Sequence, residues 1–285
     1  MKNAITDNEC DTASRGRIGG SRCGAHYFDV RHMKIRRQLI TLILAIAASY
    51  IFAAEPIVVT YNKTNKFKAK DFSKVFLTRE GFDEDPHSFA NYQPLGVVGA
   101  EYERIRIHYT SVNKDSVNPL IYEIIGKTMV KRNICEIYGN LTIDSIVEYA
   151  ESDEIGTKQG YTIGKYRFEE LNCKYAGIFE GKFKSYYVIR KNAEPMYDDI
   201  NFASDGFENN LYEGTWISKE TGKHKICNWG DSRIPGIRGL DDGTGLFLPS
   251  EEFNDWKSYR LAVQHDSITK EINSAIEFEK WKWWK

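Results

Sequence analysis

From Cys135 to Tyr149 the chain follows a period of two. Cys135, Ile137, Leu141, Ile143, Val147 and Tyr149 occupy odd positions, and Glu136, Asn140, Thr142, Asp144 and Glu148 occupy even ones. No helix sustains that alternation, so this stretch reads as a strand with one buried face. It is long for a single strand, which predicts a bulge near Gly139-Asn140. Leu120–Val130 is the expected antiparallel partner, joined through Lys131-Arg132-Asn133. Weaker copies of the pattern recur. Residues 57–61 form a short β-branched run, and Ile105, Ile107 and Tyr109 alternate with Arg104, Arg106 and His108. Leu171, Cys173, Tyr175, Phe179 and Phe183 alternate with breaks at Gly177 and Gly181, and residues 186–190 continue in β character. Residues 211–229 read as a hairpin. The expected fold class is mainly β, an antiparallel barrel or sandwich, with a short C-terminal helical segment.

Residues 80–94, 113–119, 191–210 and 230–249 are rich in turn formers and read as loops. Ser250-Glu251-Glu252 offers a helix start, and Ser267–Trp281 carries Ile268, Ile272, Ala275 and Ile276 at helical spacing. At the other end, Lys34, Arg36 and Arg37 precede an apolar run that closes on small residues, the order of a secretory signal peptide. The run is shorter than the roughly 20 residues of a membrane-spanning helix. The expected organisation is therefore a leader of non-native upstream sequence over 1–32, a signal peptide over 33–54, an antiparallel β domain over 55–249 and a helical appendage over 250–285. Cleavage after Ser49 and cleavage after Ala54 both remain open, as does a cytoplasmic tail on an uncleaved anchor. The body is long enough for one sizeable core. With 39 basic and 40 acidic residues, the chain lacks the basic excess that nucleic acid requires.

Three of the five cysteines, Cys135, Cys173 and Cys227, fall in the body. Cys135 and Cys173 share parity with the apolar faces of their segments, which predicts a bridge between them, with the two pairings through Cys227 and buried free thiols as competitors. In the 211–229 hairpin a two-residue loop would force Thr221 to positive φ. The expected loop has three residues, with Glu220-Thr221 in a type I turn and Gly222 in a bulge, placing Trp216 opposite Ile226 and Thr215 opposite Cys227.

No metal-ligand spacing, nucleophile elbow or nucleotide fingerprint is present, so no metal and no cofactor is implied. His87, His108, His224 and His265 read as surface residues. Two adjacent carboxylate pairs, Asp198-Asp199 and Asp241-Asp242, lie in loops and are candidates for hydrolytic or ligand chemistry, although neighbouring residues seldom face one site. Trp216, Trp229 and Trp256 are candidates for stacking on a sugar or apolar ligand; the plainer reading is that they fill a β-rich core. The tail from Trp281 to Lys285 either contacts a membrane surface or frays. The stretch GTWISKETGKHKICNWGDSRIP, with GKTMVKRNICEIYGNLTI, resembles uncharacterised secreted proteins of Gram-negative bacteria over roughly Arg104–Pro249. That resemblance implies export and carries no activity or residue role. The expectation is a periplasmic or secreted β-rich protein that binds a small molecule, a glycan or an envelope protein. The alternative is a hydrolase acting on envelope carbohydrate or peptide through its loop carboxylates.

Overall fold

The computed structural model describes residues 59–79, 93–191, 193–241, 245–264 and 267–285. The stretches read above as leader and signal peptide, together with His87, Asp242 and His265, lie outside the described residues. The elements are β1 (Thr60–Asn62), α1 (Thr64–Phe67), α2 (Ser73–Phe76), β2 (Leu95–Val98), β3 (Glu103–Lys114), β4 (Ile121–Val130), β5 (Asn133–Tyr149), β6 (Thr157–Leu171), β7 (Gly177–Arg190), β8 (Met196–Tyr197), β9 (Asn209–Ser218), β10 (His224–Asp231), a 3-10 turn (Asn254–Trp256), α3 (Lys257–Val263) and α4 (Lys270–Lys280).

All neighbouring strands are antiparallel. β2, β3, β4, β5, β6, β7, β9 and β10 pair in sequence, and β10 returns to β2, so the sheet closes into an eight-stranded up-and-down barrel. Closure removes the exposed edges that an open sheet would leave. β1 adds to the far end of β5 and β8 to the far end of β7.

The long alternation is β5, and it pairs with β4 from Val130↔Asn133 to Ile121↔Thr142. The bulge against β6 falls between Ile143 and Ser145, not at Gly139. Gly139 is needed for a different reason: a Cβ there would overlap the Arg167 carbonyl of the neighbouring strand. The Leu171–Phe183 pattern splits into two strands. Residues 172–176 form the turn, and β6 turns its even residues Tyr166, Phe168 and Glu170 inward.

Aromatic rings fill the barrel. Trp229 stacks on Tyr212 at 4.7 Å and meets Tyr166 edge-on at 5.0 Å. α1 and α2 plug one end, where Phe72 packs on Tyr187 and Phe76 on Tyr122 and Phe183. Eight strands leave room for side chains or one small ligand, and here side chains take the middle. Outward positions on β6 and β7 carry Lys165, Arg167, Glu169, Glu180 and Lys182. Apolar-in and charged-out is the inverse of a lipid-embedded barrel. Among the described residues no helix is long and apolar enough to cross a membrane.

The C-terminal segment differs from expectation. Ser250 caps nothing; the first helical turn begins at Asn254. The helices lie on the outer face of β3, so Arg104, Arg106 and His108 are buried. Arg104 grips Glu279 through two hydrogen bonds of 2.8 Å, and Arg106 reaches the same carboxylate at 2.8 Å. His108 is not a surface histidine: it stacks on Trp284 at 3.9 Å and hydrogen-bonds Gln93. Trp283 and Trp284 are buried beside Met129, so the tail does not fray, and Trp281 is the exposed member.

The Cys135–Cys173 disulfide is present. Cys135 points inward from β5 as expected, whereas Cys173 sits in the β6–β7 turn; Cys227 is free and buried. The β9–β10 register differs from the three-residue loop. Trp216 faces Lys225, and Ile226 faces Thr215. The loop holds four residues because Ser218 organises it. Its carbonyl accepts from Gly222 N–H at 2.9 Å and its hydroxyl from Thr221 N–H at 3.1 Å. Lys219 is drawn away to the Glu170 carbonyl and the Glu169 carboxylate. Gly222 does take positive φ, at 67°.

Candidate functional site

At the plugged end, β10 leaves the ladder. The register shifts between Trp229 and Asp231, so Asp231 pairs with Asn209. Gly230 permits this, since a Cβ there would lie 2.5 Å from the Arg233 carbonyl and 2.8 Å from Leu211. Ser232 follows at φ 63°, a costly conformation for a non-glycine residue. A bulge re-aims a side chain, and this one turns Asp231 into a cleft of about 480 Å³. That volume is in the range of small-molecule sites.

Five separated segments build the cleft. Leu95 comes from β2, Tyr197 from β8, Phe202 and Phe207 from the loop before β9, Phe247 from the stretch after β10, and Tyr259 and Val263 from α3. The polar groups are few: Arg79, Asp231 and Arg233, with Ser204, Asp205 and Ser232 at the rim. Desolvation pushes the Asp231 carboxyl up to about 7 against the opposing pull of Asn210, Tyr197 and Arg79. Asn210 Nδ2 donates to it at 3.0 Å. The Tyr197 hydroxyl interacts with both Asp231 and Arg79, and burial raises its pKa far out of the physiological range. The Arg79 guanidinium lies 4.5 Å over the Tyr197 ring, and burial lowers its pKa. Arg233 donates to the Asp205 and Gly245 carbonyls. Its Nη1 faces Asp241 Oδ2 at 3.6 Å, too far for a hydrogen bond, and within the described residues neither atom makes one.

The carboxylates singled out in the sequence occupy supporting positions. Asp199 sits 3.7 Å from Arg79 and 3.0 Å from Arg190, and Asp241 faces Arg233. Asp198 is buried, accepts from Gln159 at 2.8 Å, and is raised by desolvation. These side chains hold the cleft's arginines and its adjoining loop rather than lining it themselves. The three tryptophans separate. Trp229 is core. Trp256 is buried where the helices meet β3, beneath Arg104 at 4.9 Å. Trp216 lies at the opposite, open end of the barrel. Sequence reasoning missed Asp231, Tyr197 and both arginines. The local signal was Gly230-Asp231-Ser232, a bulge-prone triplet ending a strand, and it said nothing of the partners that the fold brings to it. Comparison of the chain with protein-family models, curated proteins and solved structures returns no match.

Proposed function

We propose that the protein is an exported binding module whose ligand is a small molecule with a flat apolar body and one carboxylate or other hydrogen-bond-accepting end. The observation that carries this reading is the cleft: apolar walls from five segments, four of them aromatic, converge on two arginines and one carboxyl poised near neutrality. Few polar groups in an apolar recess fix orientation, which is the pattern of a binding site. Arg233 lines the cleft and its Nη1 makes no hydrogen bond among the described residues, so it has a donor to offer an acceptor of the ligand. Export is supported by the leader pattern and by a disulfide of the kind that persists in oxidising compartments. A hydrolase is the second reading, favoured by Asp231, whose pKa near 7 suits general acid–base work.

Titration calorimetry with 2-naphthoate tests the proposal. Saturable binding is expected, with loss on Val263→Trp, which fills the cleft, and at least tenfold weakening on Arg233→Gln. Unchanged binding in the Val263→Trp protein refutes it. Turnover of an envelope glycan or peptide that vanishes with Asp231→Asn would transfer the case to the hydrolase.

A further inference from the structure

The open end of the barrel carries a second cavity, of about 280 Å³, far from the cleft. Val98, Ile105 and Val130 form its apolar floor above the packed core. Two aromatic side chains flank it. Trp216 is held in place because its Nε1 donates to Glu170 Oε2 at 2.9 Å. Glu170 is itself buried and fixed by Gly177 N–H at 2.8 Å and the Thr128 hydroxyl at 2.6 Å, so its acceptors are committed to positioning.

Tyr175, the other flank, is 71% exposed and sits at φ 57°. A bulky residue in that region is costly to hold unless the surroundings impose it. The imposing contacts are present. Cys173 is bridged to Cys135, Asn133 donates to the Lys174 carbonyl at 2.9 Å, and Asn172 donates to Glu136. The disulfide therefore pins to β5 the turn that carries an exposed tyrosine at the cavity edge. The rim is cationic. Lys131 and Lys225 share a single carboxylate, Glu103, at 2.8 and 3.6 Å, and Lys225 lies 5.7 Å over the Trp216 ring. At the exposed rim two ammonium groups meet one carboxylate; the second carboxylate of the lining, Glu170, balances the charge from below, its oxygens taken by Trp216, Thr128 and Gly177.

We infer that this mouth is a second binding site, for a short amphiphilic monocarboxylate whose apolar part enters between Trp216 and Tyr175 and whose carboxylate meets Lys225 and Lys131. A volume of about 280 Å³ limits the occupant to a short chain. Charge complementarity selects the carboxylate over a neutral or cationic head of the same length. The disulfide sets affinity by holding Tyr175 in place, so the site weakens when Cys135–Cys173 is reduced.

The test is calorimetric titration with octanoate, octan-1-ol and octylamine at low ionic strength, repeated in the Val263→Trp protein so that the cleft cannot contribute. Octanoate binds one to one, octan-1-ol about tenfold more weakly and octylamine more weakly still. Lys225→Glu reverses the order of octanoate and octylamine. Tyr175→Ala weakens octanoate several-fold with no loss of melting temperature, since the side chain is exposed. Absence of binding by all three probes overturns the inference, as does an octanoate-to-octylamine preference that Lys225→Glu leaves unchanged. Loss of octanoate binding in the Val263→Trp protein alone assigns that binding to the cleft and overturns the mouth site.

Discussion

Replacing Asp231 with Asn should stabilise the protein above neutral pH. The carboxyl is raised from 3.8 to about 7 in the folded protein. An acid with a raised folded pKa contributes stability that is fully present below its unfolded value and is lost as pH rises through the folded one. The gap between 3.8 and about 7, at roughly 1.4 kcal/mol per pH unit, sets an upper bound of about 4 kcal/mol. Asp231 borders an open cleft, and solvent access trims this to roughly 2 kcal/mol. Asn has the same shape, can accept from Asn210 with its oxygen and can donate to Tyr197 with its nitrogen, and it never ionises. The assay is urea unfolding of both proteins at pH 4 and pH 8. At pH 4, next to the unfolded value of 3.8, the two should have similar stability; the variant's advantage should grow through the range between 3.8 and about 7 and reach about 2 kcal/mol at pH 8. Every other ionisable group is common to both proteins and cancels in the difference. A variant that is less stable at pH 8, or a difference that does not change between the two pH values, refutes the reasoning.

Glu279→Gln leaves Arg104 and Arg106 buried without their counter-charge and should cost about 3 kcal/mol by chemical denaturation at pH 7. Burial pushes the Glu279 carboxyl up, but Arg104, Arg106 and Ser258 outweigh it and hold the pKa below the ordinary value of 4.5, so the cost should shrink as pH falls through the acid range. Removing the disulfide with Cys135→Ala and Cys173→Ala opens a loop of 38 residues and should cost about 4 kcal/mol on the chain-entropy estimate, read as a lower urea midpoint. Gly222→Val should destabilise by about 1 kcal/mol through its φ of 67° alone, since nothing lies within 4 Å of a Cβ there, while Thr221→Asn should be near neutral.

The strands were legible because β4 and β5 keep a two-residue period as far as Ile143; past the bulge the inward face of β5 passes to Ile146, and Val147 and Tyr149 are only half-buried. The Cys135–Cys173 bridge is present, but parity accounts for only one of its ends: Cys135 points inward from β5, whereas Cys173 lies in a turn and β6 before it turns even residues inward. Register at the β9–β10 turn was not legible. It depended on Ser218 hydrogen bonds and on Lys219 reaching β6, interactions that a local steric argument about Thr221 could not include. The β3 reading failed for a related reason. Alternation of Arg104, Arg106 and His108 with apolar residues describes a strand with one wet face, and the partner that covers that face lies about 170 residues away. The cleft is a sharper case still. Asp199 and Asp241 were visible as loop carboxylates, but the arginines they hold, and Asp231 between them, converge only after the barrel closes.

The buried ion pair and the cleft belong to one mechanical arrangement. Glu279 on α4 accepts from Arg104 on β3 and from Ser258 on α3, the latter at 2.6 Å, so a single carboxylate ties both helices to the barrel wall. Arg104 also lies 5.2 Å over the ring of Tyr259 and 4.9 Å over that of Trp256. Tyr259 and Val263 are the cleft wall that α3 supplies. A well-packed apolar seam could fix α3 with comparable energy, but it would tolerate sliding. Paired hydrogen bonds to a planar guanidinium admit one orientation. On this view the charged seam sets where the helix wall stands rather than how strongly it is held. The C-terminal helices then complete the cleft, and the barrel without them would present only an open floor around Asp231.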